Sequence, residues 1–159
     1  MTVIFSTLKE HPEFVDKIAY DHFYEWEHEY INRTPWKTPQ QLAHYYKTEC
    51  CNAITEIPHI HLIIDEKSNE CIASTLIDHE DMGIRTDLSP WLVSLYVNPE
   101  YRNKGIGTIF VFHVLNVTDF SPLHLWTFND RLAQFYMKFG FVEIDRNNNL
   151  IVMRREIQI

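Results

Sequence analysis

The chain has 159 residues, of which 45% are hydrophobic and 23% charged; that fits a single domain burying roughly 70% of the surface its unfolded chain would expose. Lys and Arg number 14 against 22 Asp and Glu, a net charge of −8, which argues against nonspecific binding to nucleic acid or anionic membrane and leans toward neutral or cationic ligands. Cys50, Cys51 and Cys71, odd in number and two of them adjacent, make no disulfide framework, and free thiols fit a reducing cytoplasm.

Met1 to Leu8 has no basic segment followed by an apolar run, so no signal peptide is expected, and no apolar stretch is long enough to span a bilayer; Val3 to Leu8 reads as a short opening strand. From Pro12 to Tyr30 the spacing of Phe14, Val15, Ile18, Phe23 and Trp26 predicts one amphipathic helix. A loop over Asn32 to Thr38 follows, then a second helix from Pro39 to about Cys51 with Thr38 as its N-cap. Ile60 to Ile64 and Cys71 to Ile77 flank a polar turn and form a predicted hairpin. His79 to Ser89 is a polar loop, and Trp91 to Val97 is the nearly continuous apolar run of a central strand covered on both faces. Thr108 to Val117, apolar on most faces, predicts a buried helix. Leu123 to Phe128 reads as a strand, Asn129 to Phe139 as a helix stopped by Gly140 at the C′ position, and Phe141 to Asp145 and Leu150 to Arg154 as closing strands. This mixed order predicts an α/β (α+β layered) domain over residues 1–159.

Glycine is scarce: Gly83, Gly105, Gly107 and Gly140 are the only four. Two of them stand in the segment Leu95 to Thr108, where a buried strand runs into a glycine loop and the loop into a helix. Backbone N–H groups can converge there without Cβ clashes, and the helix start adds unpaired N–H groups and partial positive charge. Together they suit a diphosphate, with Arg102 and Lys104 adding charge at the mouth. A Gly-x-Gly turn that merely caps a helix is the plainer alternative. The run lacks the Lys-Ser/Thr ending of a nucleotide P-loop and the third glycine of a dinucleotide fingerprint.

The pattern Val97-x-Pro99-x-Tyr101-Arg102-x-x-Gly105-x-Gly107 closely resembles the acetyl-CoA signature of the GNAT acetyltransferase superfamily. A second block, Asn129 to Phe141, is similar to that family's later motif, in which an Asn stands seven residues before a Tyr and Lys138-x-Gly140-Phe141 follows. Leu132 departs from the small residue usual there. The resemblance implies a mostly antiparallel sheet, splayed near the cofactor and flanked by helices. It also implies acetyl-CoA as co-substrate, held by Leu95, Val97, Arg102, Asn103, Lys104, Gly105, Ile106, Gly107, Thr108, Asn129 and Tyr136. By the same match the Leu95 N–H faces the thioester oxygen and Tyr136 is the general acid for the leaving thiolate. Taken alone, Leu95 is equally a core residue, Tyr136 a core aromatic and Asn129 a helix N-cap.

Histone-type members carry a glutamate four residues before the oxyanion-binding position, where this chain has Trp91. The general base is then open among Glu25, Glu29, Asp81, Asp87, Ser94 and a held water. Glu25, Trp26, Asp81, Asp87 and Trp91 are the candidate acceptor-side residues, with solvated surface or core packing as their alternative roles. His59 and His61 share a strand face without a third ligand, so no metal site is expected. The function expected is transfer of an acetyl group from acetyl-CoA to a primary amine of a small molecule or peptide. A non-catalytic acyl-CoA-binding sensor or interaction module of the same fold is the alternative, and a homodimer stays open.

Overall fold

The computed structural model describes residues 1–158. Strand β1 (Val3–Thr7) is followed by a short 3₁₀ turn (Pro12–Phe14), helices α1 (Val15–Glu25), α2 (Glu27–Arg33) and α3 (Pro39–Tyr45), and strands β2 (His59–Asp65), β3 (Glu70–Asp78) and β4 (Trp91–Val97). Helix α4 (Ile106–Thr118), strand β5 (Leu123–Thr127), helix α5 (Asp130–Met137) and the hairpin β6 (Val142–Asn147) and β7 (Leu150–Arg155) complete the order. The seven strands form one sheet, β1-β2-β3-β4-β5-β7-β6. All neighbours are antiparallel except β4 and β5, which run parallel and share the single register pair Trp91 and His124. This is the mixed, mostly antiparallel architecture expected. The helices divide between the two faces, α1 to α3 over one core cluster and α4 with α5 over the other.

Local chemistry explains the element ends. The Thr38 hydroxyl accepts the Gln41 N–H at 3.2 Å, with Pro39 in the first turn of α3. The Asn129 side chain accepts the Leu132 N–H at 2.9 Å and caps α5. At the other end of α5, Gly140 has φ +89°, the Gly140 N–H reaches Met137 O at 3.1 Å, and the Phe141 N–H reaches Tyr136 O at 3.4 Å. That doubly bonded glycine stop fixes the end of the helix that carries Tyr136.

Three expectations need correcting. The predicted first helix is two helices, because Trp26 leaves helical geometry at φ −125° and ψ 39°; the break turns α2 away and leaves Trp26 free to line a cleft. The second helix does not stay regular to its end: after Tyr45 it widens into a π-helical turn over Tyr46–Cys50, closed by Cys51 N–H to Tyr46 O at 3.0 Å. Helix α4 is buried on one side only, through Ile106, Phe110, Val111, Val114 and Leu115, whereas Ile109, Phe112 and Val117 are exposed. Its all-round apolarity misled because a surface helix can carry exposed apolar residues without folding penalty. Among the described residues no helix is long and apolar enough to cross a membrane.

Candidate active site

Strand β4 changes parity in its middle. Trp91 and Val93 pack into the α1–α3 core and Leu92 into the α4–α5 core. Past Ser94 the odd residues Leu95 and Val97 pack on the α4–α5 side, and the Tyr96 ring instead meets His22 of α1, with centroids 6.3 Å apart. Ser94 has φ +53°, and neither it nor Leu95 has a partner in the register with β3. A one-residue bulge therefore shifts every later side chain to the opposite face. The Thr75 hydroxyl, bonded to Val93 O at 3.0 Å, braces the bulge from β3. Beyond the Trp91–His124 pair, β4 and β5 part, and a cleft of about 540 Å³ opens between them.

The loop after β4 forms one end of this cleft. Asn103 and Gly105 both adopt left-handed conformations, φ +60° and +81°. None of the backbone N–H groups from Asn103 to Thr108 makes a well-aligned hydrogen bond to a protein acceptor among the described residues. A Cβ built on Gly107 meets only the tip of the Phe135 ring, at an ordinary 3.8 Å. The protein's own packing does not demand that glycine, and the missing side chain leaves room on the cleft wall. A run of unpaired N–H groups at a helix start, with an open surface beside it, fits the diphosphate of a CoA thioester. Arg102 is held at the mouth: its Nε donates to Val97 O at 2.8 Å, and its guanidinium contacts Glu25 at 3.2 Å and lies over the Tyr96 ring. Leu95, Val97, Arg102, Asn103, Gly105, Ile106, Gly107 and Thr108 all line the cleft. Lys104 does not; its ammonium lies over the Tyr101 ring, 5.7 Å from the centroid.

Helix α5 supplies a side wall through Leu132, Phe135 and Tyr136. Burial pushes the Tyr136 phenol above its ordinary range, with no hydrogen bond or charge contributing. The hydroxyl thus stays protonated with its donor unspent. Asn129 is outside the lining, and its side-chain oxygen is used by the α5 cap.

The opposite side gathers Glu25, Trp26, Asp81, Met82 and Ser94. Asp81 is 6% exposed. Its carboxyl is pushed up to about 8, first by burial and further by Asp78 and Glu80, while the Trp126 indole N–H draws it down. That N–H lies against the carboxylate without a well-aligned bond and has no other protein partner. Asp87 and Trp91 are not brought to the cleft. Asp87 is exposed and gripped by Arg85, which also reaches Asp145 at 2.7 Å. Trp91 is fully buried with its N–H on Leu88 O at 2.9 Å. Among the described residues no cluster of three His, Cys, Asp or Glu side chains forms a metal site.

The sequence reading missed a polar chain under the cleft. His22 is fully buried, pushed down to about 3 by burial and by Lys17, and therefore neutral. One ring nitrogen meets Tyr46 Oη at 2.7 Å and the other meets Ser74 Oγ at 2.8 Å. Tyr46 Oη stands 3.5 Å from Tyr30 Oη, which is 3.3 Å from Ser94 Oγ at the bulge. The signal was available: His22 sits on the apolar stripe of α1, between Ile18 and Trp26, where an unpaired imidazole would be costly.

The model of the acetyltransferase (GNAT) domain matches residues 58–143, just over half the chain. The chain belongs to the GNAT acetyltransferase family. Its members use acetyl-CoA as co-substrate, and membership makes this an acyltransferase fold with an acetyl-transfer role. No curated protein matches its sequence. Among solved structures, this GNAT domain is similar to PH1933 from Pyrococcus horikoshii OT3, at TM-score 0.69 and 14% identity over 99% of this chain and 100% of that one. It is also similar to a histone acetyltransferase HPA2 and related acetyltransferase from Corynebacterium glutamicum, at TM-score 0.68 and 17% identity over 99% and 97%. A third likeness is to mutant forms of the spermidine/spermine N-acetyltransferase SpeG from Vibrio cholerae, at 0.61 and 15% over 98% and 94%. At these identities the likenesses speak for the fold.

Proposed function

We propose that this GNAT domain transfers an acetyl group from acetyl-CoA to a primary amine of a small molecule or peptide, by direct attack in a ternary complex. One observation carries the reading: the cleft between β4 and β5 is lined by a run of free N–H groups, an unspent Tyr136 hydroxyl and a buried, unpaired carboxylate, Asp81. The co-substrate supplies an acyl carbon already activated as a thioester. The N–H groups of residues 103–108 bind the diphosphate, and Val97 pairs with the pantetheine arm through its backbone. At the bulge, the Leu95 N–H donates to the acyl oxygen as negative charge develops on it. Asp81 takes the proton from the attacking amine as the C–N bond forms, a role suited to a carboxyl poised near 8. Tyr136 gives its proton to the sulfur as the C–S bond breaks, and the phenolate, made more basic by burial, recovers a proton from bulk water through the open cleft.

The reading treats residues 1–159 as one acetyltransferase domain, since the cleft draws its lining from Glu25 through to Tyr136. A cytoplasmic setting goes with it, resting on the free thiols of Cys50, Cys51 and Cys71. The test is CoA release with an amine panel beside calorimetric titration of acetyl-CoA. The expected outcome is binding with amine-dependent release. Binding without release for any amine would make this an acyl-CoA-binding module instead.

A further inference from the structure

The cleft does not end at Asp81. Asp81 and Met82 line it on one side and, on the other, line a second cavity of about 190 Å³. Four rings wall that cavity: Tyr30, Trp36, Tyr45 and Tyr46. Trp36 and Tyr45 lie 4.6 Å apart between centroids, and Tyr30 and Trp36 lie 6.4 Å apart. Three carboxylates share the lining, Asp78, Glu80 and Asp81. Asp78 is fixed, accepting the Tyr45 hydroxyl at 2.5 Å and the His79 N–H at 2.6 Å. Yet no ion pair reaches any of the three among the described residues, although Arg, Lys or His pair with acidic partners elsewhere on the surface. Arg33 is the one cation on the lining, and it is exposed.

Two of those carboxylates, Asp78 and Asp81, are more than nine-tenths buried. Burying carboxylates without counter-charge destabilises a fold, and it is kept where a ligand supplies the charge. Aromatic faces add attraction for a desolvated cation and repel an anion. The cavity is small, which favours an aliphatic ammonium over a sugar or a peptide side chain with bulk.

We propose that this cavity is a specificity subsite for a second positive charge on the acceptor, so that the substrates are aliphatic diamines or polyamines. The reacting amine lies on the Asp81 side of the cleft, and the distal ammonium sits among Trp36, Tyr45, Asp78 and Glu80. The proposal rests on the amine-acetylation reading above, and it specifies which amines.

The test compares putrescine and spermidine with n-butylamine, which has putrescine's chain and one charge fewer. Each is titrated calorimetrically into the protein saturated with CoA, and each is then assayed for CoA release from acetyl-CoA. The diamine or triamine is expected to bind at least tenfold tighter than n-butylamine and to show a kcat/KM advantage of the same size. Glu80→Gln changes an exposed side chain and leaves the fold intact; Trp36→Leu removes a ring face. Either is expected to reduce the discrimination ratio fivefold or more. A ratio near one in the parent protein, or a ratio that Glu80→Gln leaves untouched, overturns the subsite. Discriminating binding without CoA release keeps the subsite and overturns the acetyl-transfer reading instead, so the two failures are told apart.

Discussion

The two halves of the cleft are built by different means. The donor half comes from one continuous stretch, β4 through the first turn of α4, plus a single helix, α5. Its key atoms are backbone N–H groups, which any sequence supplies once glycines permit the path. The acceptor half is assembled from the end of α1, the loop after β3, the bulge in β4 and Trp126 of β5, and works through side chains that meet only in the folded chain. A local backbone device constrains spacing within a dozen residues and leaves a readable pattern. A device made from distant side chains constrains only their three-dimensional meeting.

The largest effect should break the donor half alone. Gly107→Val fills the open wall beside the free N–H groups, and its Cβ meets only the Phe135 tip, at an ordinary 3.8 Å. Acetyl-CoA affinity by calorimetry is expected to fall at least about a hundredfold, as binding at a helix start depends on close backbone approach. Thermal denaturation should show a folded protein whose melting temperature stays within a few degrees. Undiminished affinity in the folded variant would move the diphosphate elsewhere. Gly105 is a poorer probe, because φ +81° penalises any side chain there whatever binds.

Legibility in the sequence follows the same division. The glycine loop, the α5 cap at Asn129 and the Gly140 stop are local, and each was readable from residue type and spacing. The break at Trp26 was not, because Pro12 to Tyr30 keeps helical periodicity across it and no Gly or Pro marks the turn. The Ser94 bulge was hidden as well: a strand buried on both faces shows no alternation whose slip could be seen. Within the acceptor half, acidic composition drew attention equally to Asp81 and Asp87. Nothing in the sequence says that Met82, Gly83 and Arg85, all at positive φ, coil the loop so that Asp81 faces in and Asp87 faces out.

The next effect separates Asp81 from the donor half. Asp81→Asn is expected to lower kcat/KM by about 10²-fold, the lower end for loss of a general base, with acetyl-CoA affinity unchanged. In the parent, kcat/KM should rise with pH through about 8 as Asp81 ionises, and the variant should lose that limb. Stability should move the other way. The folded state holds the Asp81 proton more tightly than the unfolded chain, whose carboxyl titrates near 3.8, so parent stability falls as pH climbs from about 4 through about 8. The Asn variant lacks this loss, so its melting temperature should exceed the parent's near pH 9 and the gap should close toward pH 4. A variant less stable at high pH would make Asp81 a structural carboxylate.

Tyr136→Phe should do less. It keeps the ring between Phe135 and Phe141 and removes only the hydroxyl, so stability and acetyl-CoA binding should hold. A general acid is worth about 10²–10⁴ in rate, but water entering an open cleft can partly replace it, and a kcat loss of about tenfold is expected. The loss should shrink with a donor whose leaving thiol is more acidic. Full kcat under rate-limiting chemistry would make Tyr136 a packing residue.

The smallest effect is the sharpest control on what acidity does in the acceptor half. Asp87 shares a loop and a charge with Asp81, but both its oxygens face Arg85, at 2.8 Å each, out in solvent. Arg85 also holds Asp145 at 2.7 Å, so Asp87→Asn leaves the loop pinned to β6. An exposed pair of this kind contributes little and is screened by salt. If the acceptor is drawn in by the general field of an acidic protein, removing either charge should weaken capture similarly, and added salt should weaken it further. If a buried carboxylate in the cleft is what counts, Asp87→Asn should leave kcat/KM for putrescine within about twofold at ordinary ionic strength, a size consistent with screened surface charge. Asp81→Asn measured beside it should show its full loss at every salt concentration. Equal losses in the two variants would assign acceptor capture to surface charge and take the special role away from Asp81.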